Sequence, residues 1–235
     1  PLFDIALDPL EGTNFVANNL PNSYSMIAVA EKDNLFSAPD TYMEKIAIGP
    51  NLPKNLLDLD NPVEKNLNLL AKAKNKKLTD LTACILQRPR HDKIVQSLNK
   101  LGVKIEFISD GDVAGVIAVA DNNSKIDIYL GIGGGPEGVL AASALDAFDC
   151  NFQGRFLFKT DEDLKRAKRM GIKDLNKKYN LNEIIKGESI FCATGITSGD
   201  LVNGVNKIDN IYITETLVTH KNSQIDIVKK EVPIT

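Results

Sequence analysis

The sequence predicts an α/β protein, and three observations carry that expectation. From Leu81 onward, apolar runs of strand length alternate with segments of helical period. The turns between them place glycine beside acid or arginine where a strand ends and a helix begins, as strand–helix units do. A chain of 235 residues is also long enough to bury a substantial core. Units of this length argue a mostly parallel sheet covered by helices on both faces, with ligands bound beyond the carboxyl ends of the strands.

Residues 3–7 are apolar enough for a buried strand, and Pro9 cannot continue a ladder. Proline at a first helical position followed by Glu11-Gly12-Thr13 suits a helix start, continued through residues 14–19. Residues 24–30 read as a buried strand that turns at Lys32-Asp33-Asn34. The string Ala38-Pro39-Asp40-Thr41-Tyr42-Met43-Glu44-Lys45 opens with turn residues and leads into the apolar run 46–50. Residues 49–61, rich in Pro, Asn and Asp, read as a surface connection. In 63–74 Val63, Leu67, Leu70 and Ala71 share one helical stripe, and the lysines form the solvated face. Strands are then expected at 81–86, 103–108 and 125–130, and helices at 91–101, 111–120 and 136–148. Beyond these, 160–169 reads as a charged surface helix and 179–186 as a short connection. Residues 189–197 read as a strand ending in a hydroxyl- and glycine-rich turn, and 210–218 with 225–232 as a closing pair of strands.

The charge balance, 28 Lys and Arg against 31 Asp and Glu, argues against nucleic acid or an anionic membrane as the main partner. No apolar run approaches the roughly 18 residues that span a bilayer, and none reads as a signal peptide. Cys84, Cys150 and Cys192 are odd in number and lack Cys-x-x-Cys spacing, which reads as reduced thiols of a cytoplasmic protein. His91 and His220 are too few for a histidine-based metal centre. The chain opens at Pro1 and enters a core strand almost at once, which suggests that a preceding segment is missing.

The densest chemistry is at the front. Asp4, Asp8 and Glu11 put three carboxylates into eight residues, followed by Gly12 and Thr13. Asp8 and Glu11 are three apart, so one helical turn places both on the same side. Like charges held that close repel unless a cation separates them, and hard oxygen donors suit Mg²⁺ or Mn²⁺. A divalent cation beside an anion-attracting helix start is what phosphate-ester chemistry needs. The same residues also make an ordinary turn with a capping carboxylate.

Three strand exits add candidates. Arg88-Pro89-Arg90-His91-Asp92 presents two guanidiniums that either grip phosphate oxygens or solvate a helix start. Asp110-Gly111-Asp112 either caps a helix or accepts hydrogen bonds from sugar hydroxyls. Gly131-Ile132-Gly133-Gly134-Gly135-Pro136-Glu137-Gly138 lets a ligand approach the backbone and offers Glu137 to a metal, or is a tight turn with Glu137 on the helix start. Tyr42 is half-buried packing on its own evidence. Started at Gly133, the glycine run matches the dinucleotide fingerprint, but it follows the third strand of its series and no acid ends the next strand about 20 residues on. No Gly-Lys-Ser/Thr follows to make a Walker loop.

Asp8-Pro9-Leu10-Glu11-Gly12-Thr13 resembles the signature of the lithium-sensitive sugar and inositol phosphatases. With Glu as its second acid it is similar to the class II, GlpX-type fructose-1,6-bisphosphatases. The Ala38–Lys45 string, the Arg88 and Asp110 exits, the glycine run and the turn Ala193-Thr194-Gly195-Ile196-Thr197-Ser198-Gly199-Asp200 resemble that family in the same order. The resemblance implies a layered αβαβα sandwich with a mostly parallel, Rossmann-like C-terminal sheet. It implies that residues 1–80 belong to a metal- and phosphate-binding domain and residues 81–235 to a sugar-phosphate-binding one. Asp8, Glu11 and Glu137 would hold Mn²⁺ or Mg²⁺. Glu11, Gly12, Thr13, Tyr42, Arg88, Pro89, Arg90, Asp110, Gly111, Asp112 and Gly134 would hold fructose 1,6-bisphosphate. Thr13 and Glu11 would be catalytic, Thr13 by positioning the attacking water. The implied reaction is metal-dependent hydrolysis of the 1-phosphate to give fructose 6-phosphate and phosphate, by a homo-oligomer, dimer or tetramer. Sedoheptulose-1,7-bisphosphatase, another sugar-phosphate phosphatase, and a catalytically silent phosphate-binding module are the alternatives. The departure from the family is at the front, where the resemblance implies an N-terminal segment with further acidic ligands before Pro1. The lack of any Trp for the inositol-phosphatase motif favours class II over those relatives.

Overall fold

A computed structural model describes residues 1–121, 123–220 and 224–234. The elements, in chain order, are β1 (Phe3–Glu11), α1 (Thr13–Ala17), β2 (Tyr24–Glu31), β3 (Tyr42–Ile48), α2 (Val63–Lys74), β4 (Thr82–Leu86), α3 (Asp92–Lys100), β5 (Lys104–Ile108), α4 (Asp112–Ile117), β6 (Ile128–Gly134) and α5 (Gly135–Ala147). They continue as β7 (Asn151–Leu157), α6 (Asp161–Arg169), β8 (Lys178–Asn180), α7 (Leu181–Ile184), β9 (Ser189–Gly195), β10 (Asn206–Ile208), β11 (Ile211–His220) and β12 (Gln224–Pro233).

The strands form two sheets. The first runs β1-β2-β9-β11-β10, with β12 also on β11, and every pairing is antiparallel. The second runs β5-β4-β6-β3-β7-β8. Here β4 pairs parallel with β5 and β6, whereas β3 is antiparallel to β6 and β7, and β7 to β8. The expected mostly parallel sheet is therefore mixed. The strand–helix rhythm after Leu81 makes only the β5-β4-β6 half, and β3, from earlier in the chain, is inserted against the grain beside β6.

Helix α5 lies between the sheets, against β1, β2, β9 and β11 on one side and β3, β6 and β7 on the other. It is buried on nearly every face, so it is apolar all round, as a helix between two sheets must be. The second sheet's other face carries Ile46, Ile48, Ala83, Ile128 and Leu130, covered by Leu67 and Leu70 of α2 and Leu98 of α3. In β3 the alternation sends Met43, Lys45 and Ala47 toward α5 and Ile46 and Ile48 toward α2.

Several boundaries differ from expectation for identifiable reasons. Residues 3–7 are not a buried strand: β1 is an edge, and Phe3, Ile5 and Leu7 point outward, each more than half exposed. Pro9 does not open a helix. It sits inside β1, at an irregularity where Asp8 opposes Met26 and Glu11 opposes Tyr24. An edge strand at a bulge has no use for the missing N–H. Strand β6 begins later than expected and runs through Gly134, because Gly131–Gly134 continue the ladder with β3 instead of turning. The expectation had no strand at 151–157, where Asn, Gln, Gly and Arg interrupt the apolar alternation, yet β7 pairs with β3 along its length. The connection at 179–186 holds α7 and the end of β8.

Candidate active site

The bulge in β1 builds the acidic pair. Residues three apart in a regular strand point to opposite faces. One extra residue between Asp8 and Glu11 brings both to the side of Met26 and Tyr24, facing α5. The acids thus meet by strand geometry, not by the helical turn expected from their spacing. Glu11 is 6% exposed, and its side chain shares a hydrogen bond with Asp8. Burial, that bond and the nearby Asp112 and Asp8 charges push its carboxyl up to about 9, opposed only by the Val113 N–H. Behind the pair, the Ser23 hydroxyl donates to the Glu11 carbonyl at 2.8 Å, and Ser23 N–H donates to Thr197 Oγ1 at 3.0 Å. The turn after β9 thereby braces the acidic strand end.

Two short helices start side by side here. Gly12 and Gly111 precede α1 and α4, both with left-handed backbone, φ 77° and 75°. A Cβ on either would press on the Phe15 ring, which fills the space between them. Each start serves the other: Asn14 N–H donates to Asp110 Oδ2 at 3.1 Å, and Val113 N–H donates to Glu11 Oε1 at 2.8 Å. Thr13 stands exposed at the first helical position of α1. Asp112 turns inward: it is 7% exposed, and its carboxylate takes Lys45 Nζ and the Tyr129 hydroxyl.

The end of β6 carries the remaining candidates. A Cβ at Gly133 would overlap the Asp112 carboxylate, and one at Gly134 would overlap the carboxyl of Glu137. The glycines therefore let acids of the protein itself lie against the strand. Burial raises the half-buried Glu137, and the charges of Asp112 and Asp8 raise it further while Lys45 opposes. Tyr42, about half exposed, pairs with Gly134 across the ladder. Arg90 donates through Nε and Nη2 to the Ile132 carbonyl, at 3.0 and 2.8 Å, and its guanidinium lies 4.9 Å from the centre of the Tyr42 ring. Arg88, half-buried, donates to the Gln87 carbonyl at 3.0 Å. His91 pins this loop: its Nδ1 donates to the Leu86 carbonyl at 2.6 Å, and its Nε2 accepts Ile132 N–H at 2.8 Å. Burial lowers its pKa, so it stays neutral.

Structure thus brings Asp8, Glu11, Gly12, Thr13, Asp110, Gly111 and Asp112 together at the paired helix starts, and Tyr42, Pro89, Arg90, Gly134 and Glu137 at the adjoining end of β6. Sequence reasoning missed Lys45 and Tyr129, which hold Asp112 from below. A lysine inside the apolar strand 42–48 was the available signal.

The donors fit a hard divalent cation. They are carboxylate oxygens, and Glu11 keeps its proton as it stands. Among the described residues no three His, Cys, Asp or Glu side chains are gathered closely enough to hold an ion as a ready cluster. Were Glu11 to bind a cation, its proton would have to leave first. The expected result is release of about one proton per Mn²⁺ bound at pH 7, with affinity rising as pH approaches 9. The sign follows from the upward shift. The metal-free fold keeps a proton that the unfolded chain loses near 4.5, so it loses stability as pH rises from 4.5 toward 9. Calorimetry in two buffers of different ionisation enthalpy checks this, and buffer-independent heats would contradict it.

Residues 1–231 match the family model described as bacterial fructose-1,6-bisphosphatase, glpX-encoded. The chain is 40% identical over 235 residues to fructose-1,6-bisphosphatase 1 class 2 of Escherichia coli strain K12, covering 94% of this chain and 69% of the relative. It is 36% identical over 237 residues to the class 2 fructose-1,6-bisphosphatase of Haemophilus influenzae, covering 95% and 71%. A Synechococcus protein named D-fructose 1,6-bisphosphatase class 2/sedoheptulose 1,7-bisphosphatase is 37% identical over 234 residues, covering 94% and 67%. With the acidic strand end, the paired helix starts and the glycine-lined exit all in place, the chain belongs to the glpX-encoded, class II fructose-1,6-bisphosphatases.

Proposed function

We propose that this protein hydrolyses the 1-phosphate of fructose 1,6-bisphosphate, giving fructose 6-phosphate and phosphate, in a reaction that depends on Mn²⁺ or Mg²⁺. The observation that carries the reading is the bulge that turns Asp8 and Glu11 to one side, with the Asp8 charge close enough to act on Glu137, beside the strand end where Arg90 and Tyr42 also lie. Asp8, Glu11 and Glu137 hold the cation. When bound, it neutralises charge on the reacting phosphate and makes a water more acidic. Thr13, exposed beside Glu11, orients the attacking water, and Glu11 fixes the reacting end. Arg88 and Arg90 take the remote 6-phosphate, with Pro89 keeping their loop stiff. Tyr42, Gly12, Gly134, Asp110 and Gly111 shape the sugar site. Asp112, expected to meet sugar hydroxyls, is instead buried with both oxygens taken by Lys45 and Tyr129, and supports the turn from below.

On this reading, residues 1–80 supply Asp8, Glu11 and Thr13 at the reacting end, and residues 81–235 supply Glu137 and most of the grip on the sugar phosphate. Both stretches nevertheless contribute strands to both halves of the fold: β9–β12 join the sheet of β1 and β2, and β3 joins the other. The enzyme is a cytoplasmic homo-oligomer, a dimer or tetramer. No helix among the described residues is long and apolar enough to cross a membrane. The name of the Synechococcus relative favours a second substrate, sedoheptulose 1,7-bisphosphate, at the same site.

Phosphate release from fructose 1,6-bisphosphate, measured with and without Mn²⁺, is the direct test. Release only with the ion supports the reading, and silence of folded, Mn²⁺-bound protein overturns it. Arg90→Ala is expected to raise KM about tenfold while changing kcat less than about threefold, because the remote phosphate contributes binding more than chemistry. An equal loss in both constants would place Arg90 at the reacting phosphate instead.

A further inference from the structure

Lys45 is a charged side chain where the strand pattern calls for an apolar one. It lies between Met43 and Ala47 on the inner face of β3 and is 1% exposed. Its stem runs beneath the start of α5, where a Cβ on Gly138 would come within 3.6 Å of Lys45 Cδ. Its ammonium donates to the Asp112 carboxylate and, at 2.9 Å, to the Gly134 carbonyl. Asp112 takes the Tyr129 hydroxyl on its other oxygen. Taking an ion pair out of water is costly, and a methionine would fill the same space, so stability alone gives no reason for a lysine here.

The two acceptors belong to different halves of the site. Asp112 opens α4, whose next N–H, that of Val113, holds Glu11. Gly134 ends β6, and the Glu137 carboxyl rests against it. One ammonium therefore ties the element that holds Glu11 to the element that carries Glu137. It is also a fixed positive charge close enough to act on Glu137.

We propose that Lys45 is a positioning residue of the metal-dependent reaction: through Asp112 and the Gly134 carbonyl it fixes the spacing of the Glu11 and Glu137 carboxylates, without touching substrate. The inference rests on the phosphatase reading above.

The test compares the natural full-length protein with Lys45→Met and with Lys45→Met/Asp112→Asn, which removes the buried pair as a unit. Mn²⁺ affinity is read from the electron paramagnetic resonance of the free ion. Fructose 6-phosphate affinity is read by calorimetry, and kcat and KM from phosphate release. In Lys45→Met, Mn²⁺ binding is expected to weaken at least about tenfold and kcat to fall about a hundredfold. Fructose 6-phosphate affinity and KM stay within about threefold, because Arg90 and Tyr42 are untouched. A merely structural role would lower the melting temperature without separating metal from sugar-phosphate affinity. Mn²⁺ affinity within about twofold of the parent overturns the proposal, and so does an equal loss of fructose 6-phosphate affinity. If Lys45→Met does not fold, the double variant carries the same expectations and limits. A parent that binds Mn²⁺ but releases no phosphate sinks the phosphatase reading alone, and the Mn²⁺ affinities then decide the role of Lys45.

Discussion

Glu11→Gln is expected to lower Mn²⁺-dependent phosphate release from fructose 1,6-bisphosphate by about a thousandfold or more, a barrier increase of about 4 kcal/mol. Glutamine has the same shape. Its Oε1 can still accept Val113 N–H, and its amide can still donate to Asp8, so the bulge and both helix starts persist. What is lost is the ability to shed a proton and become an anionic ligand. The same change removes a buried acid whose folded-state value lies far above 4.5, so the metal-free variant should be the more stable protein at pH 8. Activity and stability thus move in opposite directions. Steady-state phosphate release and thermal melting at pH 5 and pH 8 check the pair, and activity within tenfold of the parent would mean that Glu11 is no ligand.

Gly133→Ala should cost about 3 kcal/mol or more of fold stability. The new methyl would occupy the place of the Asp112 carboxylate, which cannot step aside because Lys45 and Tyr129 hold both of its oxygens. Either the ion pair breaks inside the core or β6 separates from β3. In a chain of this size the loss corresponds to a fall in Tm of about 6–12 °C. Calorimetric melting measures it, and a Tm within 2 °C of the parent would show that Asp112 has room that its contacts deny.

These residues also show how far the sequence could be read. Apolar period and turn chemistry located most helices and the strands of the β5-β4-β6 half, because those elements are short-range patterns. They could not place β3, since which strand lies beside which is settled by pairing across about 90 residues, as between Tyr42 and Gly134. The Asp8–Glu11 pair was found for a reason that geometry replaced: spacing suggested a helix turn, and a one-residue bulge does the same job. The glycine run was read as room for a ligand, and two of its glycines also make room for the protein's own Asp112 and Glu137. Lys45 escaped notice because an isolated lysine is ordinarily a surface residue, and only the strand context makes it unusual.

The exchange between the two helix starts, Asn14 N–H to Asp110 and Val113 N–H to Glu11, has a consequence for inheritance. Segments about a hundred residues apart in the chain each complete the other's unfinished end. Neither loop can lengthen or shorten alone: an insertion beside Gly12 strands a donor at Val113, and one beside Gly111 strands a donor at Asn14. A change of length at either place is therefore expected to be tolerated only with a matching change at the other.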